Sequence, residues 1–190
     1  MRKMNPPVVL IDANVLYSAS LRNFFLNVAF IKLFEPKWSA EINVEWTRNL
    51  LQKRSDIKEE IVMDKVKAMN DYFLEANIEN YEHLIPTLQL PDPNDRHVLA
   101  AAIKGKAKII TTANLKDFPQ DYIRQFDIDV QHPDDFIMDL LVEQPKKVLK
   151  AFQMQVENLK NPPLSEAEVL LSLEKNGLEK TVLALRKMIQ

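Results

Sequence analysis

The chain has 190 residues, 46% apolar and 27% charged, with a formal net charge of −2. That is enough apolar material for a packed domain with an appendage, and it excludes a disordered chain. The absence of cysteine excludes disulfides, zinc–thiolate centres and thiol nucleophiles, and two glycines are too few for a glycine-rich phosphate loop. With so small a net charge there is no global basic field, so any nucleic-acid contact must come from local patches.

The N-terminal MRKMNPP is basic, but the apolar run behind it is too short for a signal peptide. No stretch approaches the ~20 apolar residues of a membrane span. The expectation is a cytoplasmic protein without a membrane partner.

Residues 8–16, VVLIDANVL, set the frame. Four unbroken apolar residues, Val8 to Ile11, read as a strand buried on both faces, as in a parallel sheet. Asp12 then stands at the carboxyl end of that strand, the edge where open α/β sheets bind ligands. Residues 18–34 follow a helical pattern that Pro36 ends. Lys37-Trp38-Ser39 reads as a very short strand with Ser39 as N-cap. The helix over 40–53 carries Ile42, Trp46 and Leu50 on one stripe, with Glu45 at its border and Glu41 further out. Another amphipathic helix is expected over 56–76, and a strand near Ile85–Leu90 despite Pro86.

In LPDPNDRHVLAAAI, residues 90–103, Asp92-Pro93 opens a helix that runs to Gly105. KAKIITTAN is the second buried-strand signature, and FDIDVQ a candidate edge strand. From Pro133 onward the pattern is helical. Pro162-Pro163 breaks it, Ser165 and Glu168 form a capping box, and Gly177 separates the last two helices. The expected division is 1–143 and a small helical domain, 144–190.

The acids carry the chemistry. Asp12 ends the first buried strand. Asp95 shares a helix face with the apolar Val98, Leu99 and Ala102, where a carboxylate is costly unless paired or metal-bound. Asp117 follows the second buried strand, and Glu45 borders a buried stripe. Carboxylates gathered on one sheet edge repel unless a divalent cation compensates, and hard oxygen donors favour Mg²⁺ or Mn²⁺. Each also has a plainer reading: Asp12, Asp92 and Asp117 as caps, Asp95 as a helix-dipole acid, Glu45 as a solvated side chain. Thr111 and Thr112 read as strand residues. His83, His97 and His132 show no ligand spacing and read as structural or surface groups.

IDANVL, SAEINVEWTRNL, PDPNDRHVLAAAI and IITTANLKDF, in this order and spacing, resemble a PIN-domain ribonuclease over roughly residues 7–140. The whole chain resembles the longer VapC-type toxins of toxin–antitoxin systems, those with a C-terminal helical extension. The resemblance implies a three-layer α/β/α fold with a central parallel sheet. It implies a Mg²⁺- or Mn²⁺-dependent endoribonuclease leaving 5′-phosphate and 3′-hydroxyl ends. Asp12, Glu45 and Asp95 match the family's three central acids. The fourth falls where this chain has Asn114, a departure for which Asp117 is the replacement. Asp12, Asp95 and Asp117 are then the expected metal ligands, with Glu45 binding metal or positioning water. Asn14 is expected to orient Asp12, and Thr112, Asn114 and Arg96 to contact substrate or orient the acids. Arg22, Arg48, Lys53, Arg54 and Lys116 are further candidates for the RNA backbone. The implied partners are RNA, a cognate antitoxin and a second copy of the chain. A binding module on a degraded nuclease fold is the competing reading, resting on Asn114. A phosphoacceptor domain ranks last, because no lysine follows a late strand suitably.

Overall fold

Val8–Ile11 has neither a charge nor a turn former, and in the computed structural model it becomes β1. Residues 6–160 and 162–189 are described. The basic start Met1–Asn5, along with Asn161 and Gln190, lies outside them. β1 is the middle of a five-stranded parallel sheet in the order β3-β2-β1-β4-β5. The others are β2 (Glu35–Ser39), β3 (Asn77–Ile78), β4 (Ile109–Thr111) and β5 (Asp129–Gln131). Leu10 pairs with Lys37 on one side and Ile110 on the other. A central parallel strand is covered on both faces, which is why Val9, Leu10 and Ile11 are all fully buried.

α1 (Ala13–Tyr17) and α2 (Ala19–Phe30) link β1 to β2, and α3 (Ala40–Lys53) and α4 (Glu59–Tyr72) link β2 to β3. α5 (Arg96–Lys104) precedes β4 and α6 (Gln120–Ile123) precedes β5. The chain closes with α7 (Pro133–Glu143), α8 (Pro145–Asn158), α9 (Glu166–Lys175) and α10 (Glu179–Ile189). The step from β1 to β2 and the step from β3 to β4 run in opposite lateral directions. Right-handed crossovers therefore put α2 and α5 on opposite faces, giving three layers. On the α2 face, Phe25, Phe34 and Phe136 of α7 pack with ring centroids 5.2–6.1 Å apart. On the other face, the buried Ala100, Ala101 and Ala102 let α5 lie close to the sheet.

Two expectations change. The segment expected as a strand near Ile85–Leu90 is instead a 3₁₀ helix, Glu82–Thr87, with Pro86 inside it. Proline has no N–H to give a ladder, and the edge position beside β2 is taken by Asn77–Ile78, paired with Trp38–Ser39. The second is half of the His97 reading: the ring is buried, which excludes the surface and leaves the structural role.

The C-terminal helices pack onto α2 and α7, the helical layer on the α2 face of the sheet. Val148, Ala151 and Phe152 are buried where α8 meets α2, and Gln155 Nε2 donates to the Ser20 carbonyl at 3.0 Å. The Ser165–Glu168 capping box is formed. Gly177 turns the chain at φ +89°, a conformation that a β-carbon disfavours. Among the described residues no helix is long and apolar enough to cross a membrane.

The order β3-β2-β1-β4-β5 reverses direction between β1 and β4. A crevice opens there at the carboxyl ends of the two strands. Asp12 follows β1 at that point, and Thr112 follows β4.

Candidate active site at the carboxyl edge of the sheet

Asp12 has two jobs. Its Oδ1 accepts from the Ala13 N–H at 2.6 Å, capping α1, so the cap reading holds as far as it goes. Its Oδ2 accepts from Thr112 Oγ1 at 2.7 Å and from Asn14 Nδ2. Thr112 Oγ1 in turn accepts from Asn14 Nδ2 at 2.8 Å and from the Asn114 N–H at 3.0 Å. One hydroxyl thus uses its single proton on Asp12 and both lone pairs on donors. Asn14 Oδ1 accepts from the Ala113 N–H at 3.0 Å, so both ends of its amide are fixed. Asn114 Nδ2 donates to Asp117 Oδ2 at 2.6 Å. One continuous network therefore runs from Asp12 to Asp117 across the β1–β4 crevice.

Asp12 is 5% exposed. Burial pushes its carboxyl up to about 6, helped by the charge of Glu45 and opposed by the bonds from Thr112 and the Ala13 N–H. Burial also pushes Asp95 up to about 7, with the charges of Asp12, Asp92, Asp117 and Glu45 adding to it. All the sequence-predicted acids therefore lie within electrostatic reach of Asp95. Its Oδ2 is buried with no hydrogen-bond partner. Asp92 caps the turn before α5, accepting from the Asn94 N–H at 2.8 Å.

Glu45, Asp92 and Asp95 open onto a cleft of about 640 Å³ whose walls also include Glu41, Arg48 and His97, while Asp12 and Asp117 do not line it. His97 is the residue that sequence reasoning missed. It is 7% exposed, with Nε2 3.6 Å from Glu45 Oε2 and Nδ1 3.7 Å from Glu41 Oε2. Burial pulls its imidazolium down, but Glu45, Glu41 and Asp12 outweigh that and the net shift is upward. No spacing within the chain marks it, because Glu41 and Glu45 come from a separate helix.

The basic candidates separate. Arg48 and Lys116 are exposed beside the acids' segments, and Lys53 lies at the far end of α3. Arg96 is half-buried, with a buried Nε lacking a partner. Arg54 is paired with Asp56 at 2.7 Å. Arg22 is withdrawn: buried, it donates to the Leu16 carbonyl at 2.6 Å and stacks 4.6 Å from the Trp46 ring.

Among the described residues, no three His, Asp or Glu side chains stand close enough to grip one ion as placed. The donor chemistry nevertheless fits a hard divalent cation. The groups are carboxylates, burial together with mutual repulsion holds two of them up in pKa, and Asp95 Oδ2 is buried and unpartnered.

The family model described as "PIN domain" matches residues 8–116, more than half of the chain. A second, "VapC50 C-terminal domain", matches residues 133–187. The protein named "Putative ribonuclease VapC50" from Mycobacterium tuberculosis is 38% identical over 79 residues, covering 42% of this chain and 47% of that protein. The chain thus spans about half the length of the curated relative it matches. No solved structure matches the chain. The five-stranded parallel sheet, the acids at its carboxyl edge and the match over residues 8–116 agree, and the chain belongs to the PIN domain family.

Proposed function

We propose that this chain is a Mg²⁺- or Mn²⁺-dependent endoribonuclease, acting in the cytoplasm as the toxin of a VapBC-type pair. The observation that carries the reading is Asp95: a carboxylate with a buried, unpartnered oxygen that feels the charges of Asp12, Asp92, Asp117 and Glu45. Such a cluster is unfavourable by itself and becomes favourable around a divalent ion. The named relative contributes the word ribonuclease, and the match to the VapC50 C-terminal domain supports the VapC class.

Asp12, Asp95 and Asp117 are the proposed ligands, with Glu45 as a further ligand or the group that orients water. When bound, the ion supplies Lewis acidity for water activation and offsets charge on the phosphate. Thr112 and Asn14 hold Asp12 in one orientation through two donors to the same oxygen. Asn114, standing where the family has a fourth acid, turns its amide to Asp117 and fixes that carboxylate instead. His97 stands beside Glu45 within ion-pair distance. Arg48, Lys116 and Arg96 are placed to neutralise the RNA backbone.

The same reading divides the chain into a nuclease domain, 1–143, and a helical domain, 144–190. It implies an antitoxin that covers the acidic cleft and a homodimer.

The test is cleavage of RNA by the purified chain with Mg²⁺ or Mn²⁺, for the wild type, Asp12→Asn and Asp95→Asn. Each variant is expected to lose about 100-fold or more in rate. Growth arrest on expression should disappear with Asp95→Ala. Equal cleavage by wild type and Asp12→Asn overturns the mechanism. No cleavage together with no Mn²⁺ binding leaves a binding module on a nuclease fold.

A further inference from the structure

A second cavity, of about 430 Å³, shares Glu45 as a wall with the acidic cleft. Its walls include Asn14, Tyr17, Glu45, Asn49, Gln52 and Lys53. We propose that this cavity is a nucleobase-binding subsite that selects a nucleotide flanking the cleaved bond. The inference rests on the ribonuclease reading and adds to it where the base goes and which residues read it.

α3 supplies the argument. Glu45, Asn49, Gln52 and Lys53 are spaced by four, three and one residues, so they share one face. Going toward the C-terminal end of that face, an acid gives way to two amides and then to an ammonium. The acidic cleft takes the opposite composition, with four carboxylates among its walls. A polyanionic strand leaving the acids meets lower repulsion toward Lys53 than through the cleft.

The cavity also holds what a base needs. The Tyr17 ring offers a stacking face, and stacking on an aromatic ring is the common anchor for unpaired bases. Lys53 Nζ now stands 5.3 Å from that ring's centroid, a cation–π contact loose enough for a base to replace. The displaced ammonium stays within reach of the strand's phosphates. A side-chain amide carries both a donor and an acceptor, which is the equipment for reading a base edge. Asn14 cannot serve, because both ends of its amide are committed to the Asp12–Thr112–Ala113 network. Asn49 and Gln52 lie outside that network, one half-buried and one exposed, and are the readers.

The experiment uses the full chain with Mn²⁺ and a set of short single-stranded RNA oligonucleotides that vary every position around the cut. The wild type is expected to prefer one nucleotide at one flanking position. Asn49→Ala and Gln52→Ala should shrink that preference about tenfold, measured as the ratio of kcat/KM between best and worst nucleotide. Tyr17→Leu should raise KM for all sequences, and Tyr17→Phe, which keeps the ring, should restore it. Far-UV circular dichroism melts establish that each variant folds. Wild-type preference retained in Asn49→Ala and Gln52→Ala, together with an unchanged KM in Tyr17→Leu, overturns the subsite, and points to a protein segment as the cavity's occupant if those variants instead weaken inhibition by a bound partner. If the wild type cleaves nothing, the ribonuclease reading fails, and binding of a labelled oligonucleotide followed by fluorescence anisotropy still decides the subsite. Weaker binding by Tyr17→Leu supports it, and equal binding removes it.

Discussion

His97 Nε2 lies 3.6 Å from Glu45 Oε2, and Nδ1 of the same ring lies 3.7 Å from Glu41 Oε2. One buried imidazole from α5 therefore stands between two carboxylates one helical turn apart on α3. The ring stands beside Glu45 and Glu41 within ion-pair distance, so when protonated it attracts both carboxylates. His97→Ala removes that attraction and should lower kcat about tenfold with a smaller effect on KM. It should also cost roughly 1–3 kcal/mol of stability, because truncating a buried ring leaves a cavity. His97→Gln keeps a donor near Glu45 and should recover most of the rate. Equal rates for His97→Ala and the wild type would show that the ring is only packing.

The raised carboxyls set a pH dependence. In an unfolded chain Asp12 and Asp95 titrate at roughly 3.9. In the fold they rise to about 6 and about 7. The folded state thus holds protons that the unfolded state has released, so stability falls as pH rises between about 4 and 7 and then levels off. His97 acts in the same sense: raised in the fold, its contribution is full below its unfolded value of roughly 6.5 and is lost as pH climbs through the folded one. Urea midpoints in EDTA should therefore be higher at pH 5 than at pH 8. Mn²⁺ should raise the midpoint more at pH 8, where the carboxylates are ionised. A Mn²⁺ effect of the same size at both pH values would contradict this.

Thr112 gives a sharper test of the network. Its hydroxyl donates to Asp12 Oδ2 and draws that carboxyl's pKa down against burial. Thr112→Val keeps the shape and removes the donor. Activity should fall about 10- to 100-fold, and the acid limb of the pH–rate profile should move upward. Thr112→Ser should restore both. A lower rate with an unmoved acid limb would mean that Thr112 acts through packing alone.

Much of this arrangement is legible in the residues. The VVLI run followed by Asp12 needs only the rule that continuous apolar runs become buried parallel strands. Ser39, Ile42 and Trp46 mark the start and the inner face of α3 by a cap and a stripe. Asp95 stands out because its helix face is otherwise apolar. Other features have no local signature. β3 is two residues long and exists because Trp38 and Ser39 offer it a pairing edge. Pro86 interrupts an apolar run that ends as a 3₁₀ turn. The role of His97 depends on Glu41 and Glu45, brought near by the packing of α5 against α3, and no spacing within the chain announces it. Arg22 resembles any surface arginine in sequence, yet Trp46 and the Leu16 carbonyl hold it inside.

The C-terminal helices hang on one carboxylate. Asp134, near the start of α7, is 2% exposed and accepts from the backbone N–H groups of Lys180 at 2.8 Å and Thr181 at 2.9 Å. Those are donors in the first turn of α10 that the helix itself cannot satisfy, so a residue of α7 caps α10 from 46 positions away. His132 Nδ1 accepts from the Asp134 N–H at 3.2 Å and fixes the approach. Gly177, at positive φ, places the start of α10 against that imidazole; a β-carbon there would sit 3.6 Å from His132 Cε1. Asp134→Ala leaves one buried and one partly buried donor unpaired and should cost about 2 kcal/mol, within the range for lost caps and buried hydrogen bonds. Amide exchange should then accelerate across α10 and spare the sheet. Asp134→Asn keeps one acceptor oxygen and should cost less. Uniform acceleration across β1 and β4 would instead mean that α10 and the sheet open as one cooperative unit, and that the carboxylate supports the whole fold rather than the attachment of its last helix.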